Sequence, residues 1–171
     1  HGEPREFFEV LPAIQMENGE MLGTDKFMPA AIKSGQASKI DRWMMQQCIE
    51  HLTQRKKANQ ETSLFVSLSD SVLSDKILLQ AVQQHIKATR LDAGRIYVQL
   101  PAATIKNQNA AARAFAAEAR NIGLNVVVNS LDSQRIGIDD LQGIDIAYIA
   151  IDCCSGIEAG EAPALSGGVE R

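Results

Sequence analysis

Three cysteines in 171 residues are too few and too badly spaced for a disulfide framework or a zinc site. Cys48 stands alone in a helical stretch, and Cys153 and Cys154 are adjacent. There is no CxxC, and His51 and His85 read as helix-surface residues. Free thiols in a reducing compartment are the expectation. Positive charge is also in short supply: 17 Lys and Arg stand against 21 Asp and Glu, a net charge of -4. That leaves no electrostatic footprint for a nucleic-acid polymer or an anionic membrane as partner. No apolar run approaches the ~20 residues that span a bilayer. Residues 1–8 are polar and charged, unlike a signal peptide, so the expected location is cytoplasmic. Neither GxGxxG nor GxxxxGK[ST] occurs, so a glycine-rich phosphate loop is unsupported.

What is present is ordinary for a globular protein: 45% apolar and 22% charged residues. The length suits one domain with a sizeable core, or most of a larger one. Residues 6–14 read as a strand. Asn18-Gly19 supplies a tight turn, with Met21 and Leu22 returning after it. Thr24 and Asp25 are candidate caps for a short helix ended by Gly35. Ser38 is the candidate cap of a helix over 39–57, with Ile40, Trp43, Met44, Cys48 and Leu52 as its apolar face. Residues 64–68 form a short strand. Ser74 is the candidate cap of a helix whose Ile77, Leu78, Ala81, Val82 and Ile86 share one face. A strand over 95–100 is closed by Pro101. An alanine-rich helix over 104–122 stops at Gly123. A strand over 124–129, a short helix at 138–141 and a strand over 146–151 follow. The tail from Ser155 is rich in Gly, Ala and Glu. Strands beginning at 64, 95, 124 and 146 give the strand–helix rhythm of a parallel sheet. Their continuous apolar runs suit a sheet covered on both faces. An α/β fold is expected, either an open doubly wound sheet or part of a (β/α)8 barrel.

One set of segments resembles a known family. Phe27-Met28-Pro29-Ala30-Ala31, Gly35 and Ile40-Asp41-Arg42-Trp43 are similar, in order and spacing, to a conserved stretch of the EAL domain, the cyclic di-GMP phosphodiesterase barrel. Glu9-Val10-Leu11 stands where that family has Glu-Ala-Leu, and Tyr148-Ile149-Ala150-Ile151-Asp152 where it has YLKID. Glu9-Val10-Leu11 and Phe65-Val66-Ser67-Leu68-Ser69-Asp70 look most like the degenerate EAL domains of twitching-motility and type IV pilus regulators. The resemblance implies a TIM-barrel-like fold of which this chain holds the central five strands. It implies a single partial domain over 1–171, with the match strongest over 8–152 and the tail 153–171 poorly defined. Such an arc exposes a sheet edge, so a homodimer or strand swapping is an expected consequence.

In that family two metal ions and a lysine surround the scissile phosphate, and carboxylates must hold the metals. Here the glutamate is kept as Glu9. Ser67 stands for an asparagine, Gln99 for a glutamate, and Asn129 and Ser130 for two aspartates. Ala150 replaces the lysine, Ala13 replaces a phosphate-binding arginine, and Asp152 is kept. A neutral serine or amide does not neutralise a dinuclear metal site. The resemblance therefore implies a domain without catalytic residues, bound metal or cofactor. It would work as a cyclic di-GMP receptor, or as a scaffold for a protein partner in bacterial signalling.

Three residues are ligand candidates on the resemblance. Asp41 matches a guanine contact, against its plainer reading as an acid in a helix first turn. Glu9 and Leu11 stand at the end of the first strand, Leu11 as an apolar wall. Asp152 reads as a strand-end cap and Trp43 as core. Two other readings remain at this stage. One is an active phosphodiesterase recruiting Asp132, Asp139, Asp140 or Asp145. The other is an unrelated α/β binding domain.

Overall fold

The computed structural model describes residues 6–131, 141–144 and 146–151. The expected helix at 138–141 falls mostly outside them, as do Asp132, Asp139, Asp140, Asp145, Asp152, Cys153, Cys154 and the tail 153–171.

Five strands form one parallel sheet: β1 (Glu6–Val10), β4 (Thr62–Ser67), β5 (Ile96–Pro101), β6 (Asn125–Leu131) and β7 (Tyr148–Ile151). A two-stranded antiparallel ribbon, β2 (Ala13–Gln15) and β3 (Met21–Gly23), is inserted after β1. The helices are α1 (Thr24–Lys33), α2 (Ala37–Lys57), α3 (Leu78–Thr89), α4 (Ala102–Asn107) and α5 (Asn109–Ile122).

Strand order decides between the two expected architectures. The order β1-β4-β5-β6-β7 never reverses, whereas a doubly wound sheet reverses once to place helices on both faces. An unreversed run sends every right-handed crossover to the same side and curls the sheet into an arc of a barrel. Register shows the two faces. Leu64, Ile96, Val66, Val98, Leu100, Val126 and Val128 point toward the helices and are buried. There they join Met44, Met45, Cys48, Ile49 and Leu52 of α2, Leu78, Val82 and Ile86 of α3, and Phe115 and Ala116 of α5. Burying this contiguous apolar set is the main drive to the fold.

The opposite, inner face carries a layer of rings. Phe65 and Tyr97 stack at 4.7 Å between centroids. Phe7 lies 6.1 Å from Phe65, and Tyr148 lies 5.7 Å from Tyr97. Such offset and tilted pairs stabilise beyond their area alone. The expectation that both faces are fully covered does not hold at the two ends of the arc. Phe7 and Phe8 on β1, and Tyr148 and Ile149 on β7, are exposed.

Several local expectations are corrected. The first strand breaks at Leu11-Pro12, because proline has no N–H for the ladder, and the chain leaves the sheet for the ribbon. Thr24 does not cap α1: its hydroxyl donates to the Pro12 carbonyl at 2.6 Å, and Gly23 takes the cap position. Ser38 lies inside α2, which follows Gln36. The N-terminus of α3 is met by Asp75 rather than Ser74, its Oδ1 accepting from the N–H groups of Ile77 and Leu78 at 3.0 and 3.2 Å. The alanine-rich helix divides at Gln108, whose φ of -130° is non-helical. Trp43 is not core: it is 55% exposed. The sequence of α2 offers two overlapping helical series, and the buried one is Asp41, Met44, Met45, Cys48, Ile49 and Leu52.

Candidate functional site

All five strands run the same way, so their C-terminal ends share one rim of the arc. Register aligns Glu9 with Phe65, Phe65 with Tyr97, Ser67 with Gln99, and Gln99 with Val127. Partner residues in a parallel pair point to the same face. Glu9, Ser67, Gln99 and, two residues beyond Val127, Asn129 therefore lie on the inner face toward that rim. These four thus share one face near the strand ends. Ser67 Oγ donates to Gln99 Oε1 at 2.6 Å, although the residues are 32 positions apart. Gln99 is 8% exposed. Glu9 and Gln99 border one cavity of about 470 Å³, walled by Phe7, Phe65, Val127 and Tyr148. Asn129 Oδ1 is buried without a hydrogen-bond partner. Ser130 and Ala150 lie on β6 and β7. Asp152 lies outside the described residues.

Ala13 and Leu11 sit apart from that cavity. Ala13 begins the ribbon, paired with Gly23, and is exposed. Leu11 is 65% exposed and borders a second recess with Phe8, Glu9, His51 and Arg55. Arg55 reaches across that recess to Glu6 and lies 5.8 Å from the Phe8 ring centroid.

Asp41, the expected guanine contact, is enclosed by protein. It is 0% exposed. Its carboxylate accepts from Ser69 Oγ at 2.6 Å and from Ser69 N at 3.2 Å. Burial raises its pKa above the ordinary 3.8, and the two Ser69 hydrogen bonds oppose that rise without cancelling it. The two bonds tie α2 to the turn after β4. Asp70, next in that turn, accepts from Thr104 Oγ1 at the start of α4.

Sequence reading missed Ser69 as the partner of Asp41, and also missed the Arg42–Asp75 pair. Arg42 Nε donates to Asp75 Oδ2 at 2.6 Å, and Nη2 to Oδ1 at 3.0 Å. Both pairs bridge elements distant in sequence and leave no local signal. The aromatic layer did leave one: Phe7, Phe65 and Tyr97 sit at alternate strand positions, shared by no residue of the helix-facing set.

Residues 3–153 match the EAL domain family. The chain belongs to the EAL domain family. The crystal structure of the FimX EAL domain from Pseudomonas aeruginosa bound to c-di-GMP superposes with a TM-score of 0.80 at 26% identity, over 88% of this chain and 60% of that one. The Xanthomonas citri FimX EAL domain in complex with c-di-GMP gives 0.79 at 23% identity, over 87% and 58%. The PaMucR phosphodiesterase in its c-di-GMP complex gives 0.79 at 14% identity, over 88% and 62%, a likeness of fold. This EAL domain thus spans about 60% of the FimX domain's length. No curated protein matches the chain. An unrelated α/β domain is excluded by the family match.

The two divalent ions of the family's catalytic members do not fit the donors described here. Among the described residues the inner face of this EAL domain offers, toward the rim, one carboxylate, Glu9, and three neutral side chains. Two of those, Ser67 and Gln99, are engaged with each other. Hard divalent ions need several charged oxygen ligands. Among the described residues no three His, Cys, Asp or Glu side chains come together as a metal-holding group. Also among them, no helix is long and apolar enough to cross a membrane.

Proposed function

We propose that this EAL domain binds cyclic di-GMP without hydrolysing it and serves as a receptor in bacterial signalling. The observation that carries the reading is the Ser67–Gln99 hydrogen bond on the inner face of the strand ends. Two positions that hold metal in the family's catalytic members here satisfy each other as neutral groups. Asn129 beside them is also neutral, and Ala150 and Ala13 bring no charge to replace the family's lysine and arginine. Phosphodiester hydrolysis needs a metal-activated water and stabilisation of the developing charge, and this donor set supplies neither. Binding an intact nucleotide needs less, since hydrogen bonds and ring contacts suffice. Two FimX EAL domains of the same fold were solved with c-di-GMP in place, which supports the ligand. Glu9-Val10-Leu11 and the segment from Phe65 to Asp70 resemble those of twitching-motility and type IV pilus regulators, which supports a role in that kind of signalling.

A second reading rests on Asp41. Its burial weighs against one candidate nucleotide contact and favours a domain that works through protein partners alone. In either reading the exposed edges β1 and β7 are surfaces to be covered, by further chain or by a second copy.

Incubation of the full-length protein with cyclic di-GMP and Mg²⁺ or Mn²⁺, followed by chromatography, separates inactive from active. The reading expects the cyclic dinucleotide to be recovered whole. Appearance of the linear dinucleotide at catalytic rates would restore an active phosphodiesterase.

A further inference from the structure

Gln99 is nearly sealed in the protein, yet it borders the cavity that Glu9 shares. Its carboxamide has two ends, and only one is used. Oε1 accepts from Ser67 Oγ. Among the described residues the –NH2 end donates to no protein acceptor, and it is not among the fully enclosed polar atoms left unpaired. Holding Oε1 fixes the rotation of the amide, because its two ends lie on opposite sides of one bond. The –NH2 end is open to the cavity, so it is a donor available to whatever occupies it.

We propose that Ser67 orients the Gln99 carboxamide so that its –NH2 group is a fixed donor to a phosphodiester oxygen at the strand ends. The inference rests on the cyclic di-GMP reading and deepens it. A phosphodiester oxygen is the strongest acceptor such a ligand carries, and a hydrogen bond to it is charge-assisted. A carboxylate at position 99 repels that oxygen unless a metal stands between them. An amide meets it directly. Glu9 does not forbid the anion, because it is exposed and its charge is screened by water. Gln99 is thus a binding residue and Ser67 a positioning residue.

The test is cyclic di-GMP affinity of the full-length protein in EDTA, beside the ligand-free melting temperature, for wild type, Gln99→Glu, Gln99→Met, Ser67→Ala and Ser67→Thr. Gln99→Met should weaken binding about tenfold or more, and Gln99→Glu further. Ser67→Ala should weaken it less, and Ser67→Thr, which keeps the hydroxyl, should restore it. Gln99→Met checks that a loss is not misfolding, through its melting temperature. Inorganic phosphate that displaces the nucleotide from wild type but not from Gln99→Met upholds the donor and makes free phosphate its ligand too. Wild-type affinity in both Gln99 variants overturns the inference and leaves the receptor reading standing. No binding by the wild type removes both.

Discussion

The Asp41 carboxylate accepts two hydrogen bonds from Ser69, one from its hydroxyl at 2.6 Å and one from its backbone N–H at 3.2 Å. This contact pins the turn after β4, and so the end of the strand that carries Ser67, to the N-terminal half of α2. Asp41→Ala leaves a buried donor pair unsatisfied and should cost about 2 kcal/mol of stability. Asp41→Asn keeps one acceptor and should cost less. Urea unfolding of both variants measures this. At temperatures where both are folded, cyclic di-GMP affinity of Asp41→Asn should equal that of wild type. A large selective loss of affinity would return Asp41 to the ligand.

Two carboxylates give opposite pH dependences. Asp41 has a raised pKa, from burial chiefly. The folded state therefore holds its proton more tightly than the unfolded chain. That contribution is fully present below the unfolded value of about 4 and is lost as pH rises through the folded value. For Asp75, burial pulls upward, but the Arg42 guanidinium and the N–H groups of Ile77 and Leu78 outweigh it and hold the carboxyl low. Its contribution is present above the unfolded value and is lost as pH falls through the folded one. Relative to wild type, Asp75→Asn should lose least stability in acid, whereas Asp41→Asn should lose most there. Thermal melts of the three proteins across the acid range check both signs.

Neighbouring residues of α2 should respond very differently to truncation. Met44 is 1% exposed and packed in the core, so Met44→Ala should cost about 2–5 kcal/mol. Trp43 is 55% exposed, so Trp43→Ala should cost below about 1 kcal/mol. Chemical denaturation distinguishes them. As the chain's one tryptophan, Trp43 should also show a solvent-exposed emission spectrum and ready quenching.

This contrast shows what sequence did and did not make legible. The strands were readable because each is a short apolar run bounded by turn residues, and their spacing gave the parallel sheet. Barrel against open sheet was not readable from strand spacing, since it depends on strand order; the family resemblance supplied it. The face of α2 was misread because Ile40 and Trp43 form as good a helical series as Met45 and Ile49. The buried side also takes in Asp41, which Ser69, 28 residues on, satisfies. The candidate site positions came from family resemblance. The Ser67–Gln99 contact was not readable, because it joins two strands that local pattern cannot relate.

Calorimetric titration of cyclic di-GMP into the full-length protein, once in EDTA and once in Mg²⁺, tests the central claim most directly. The account predicts saturable binding with the same affinity in both, since the nucleotide is met by neutral donors. Binding that appears only with Mg²⁺ would contradict it, because the rim would then hold a metal that the described donors do not fit.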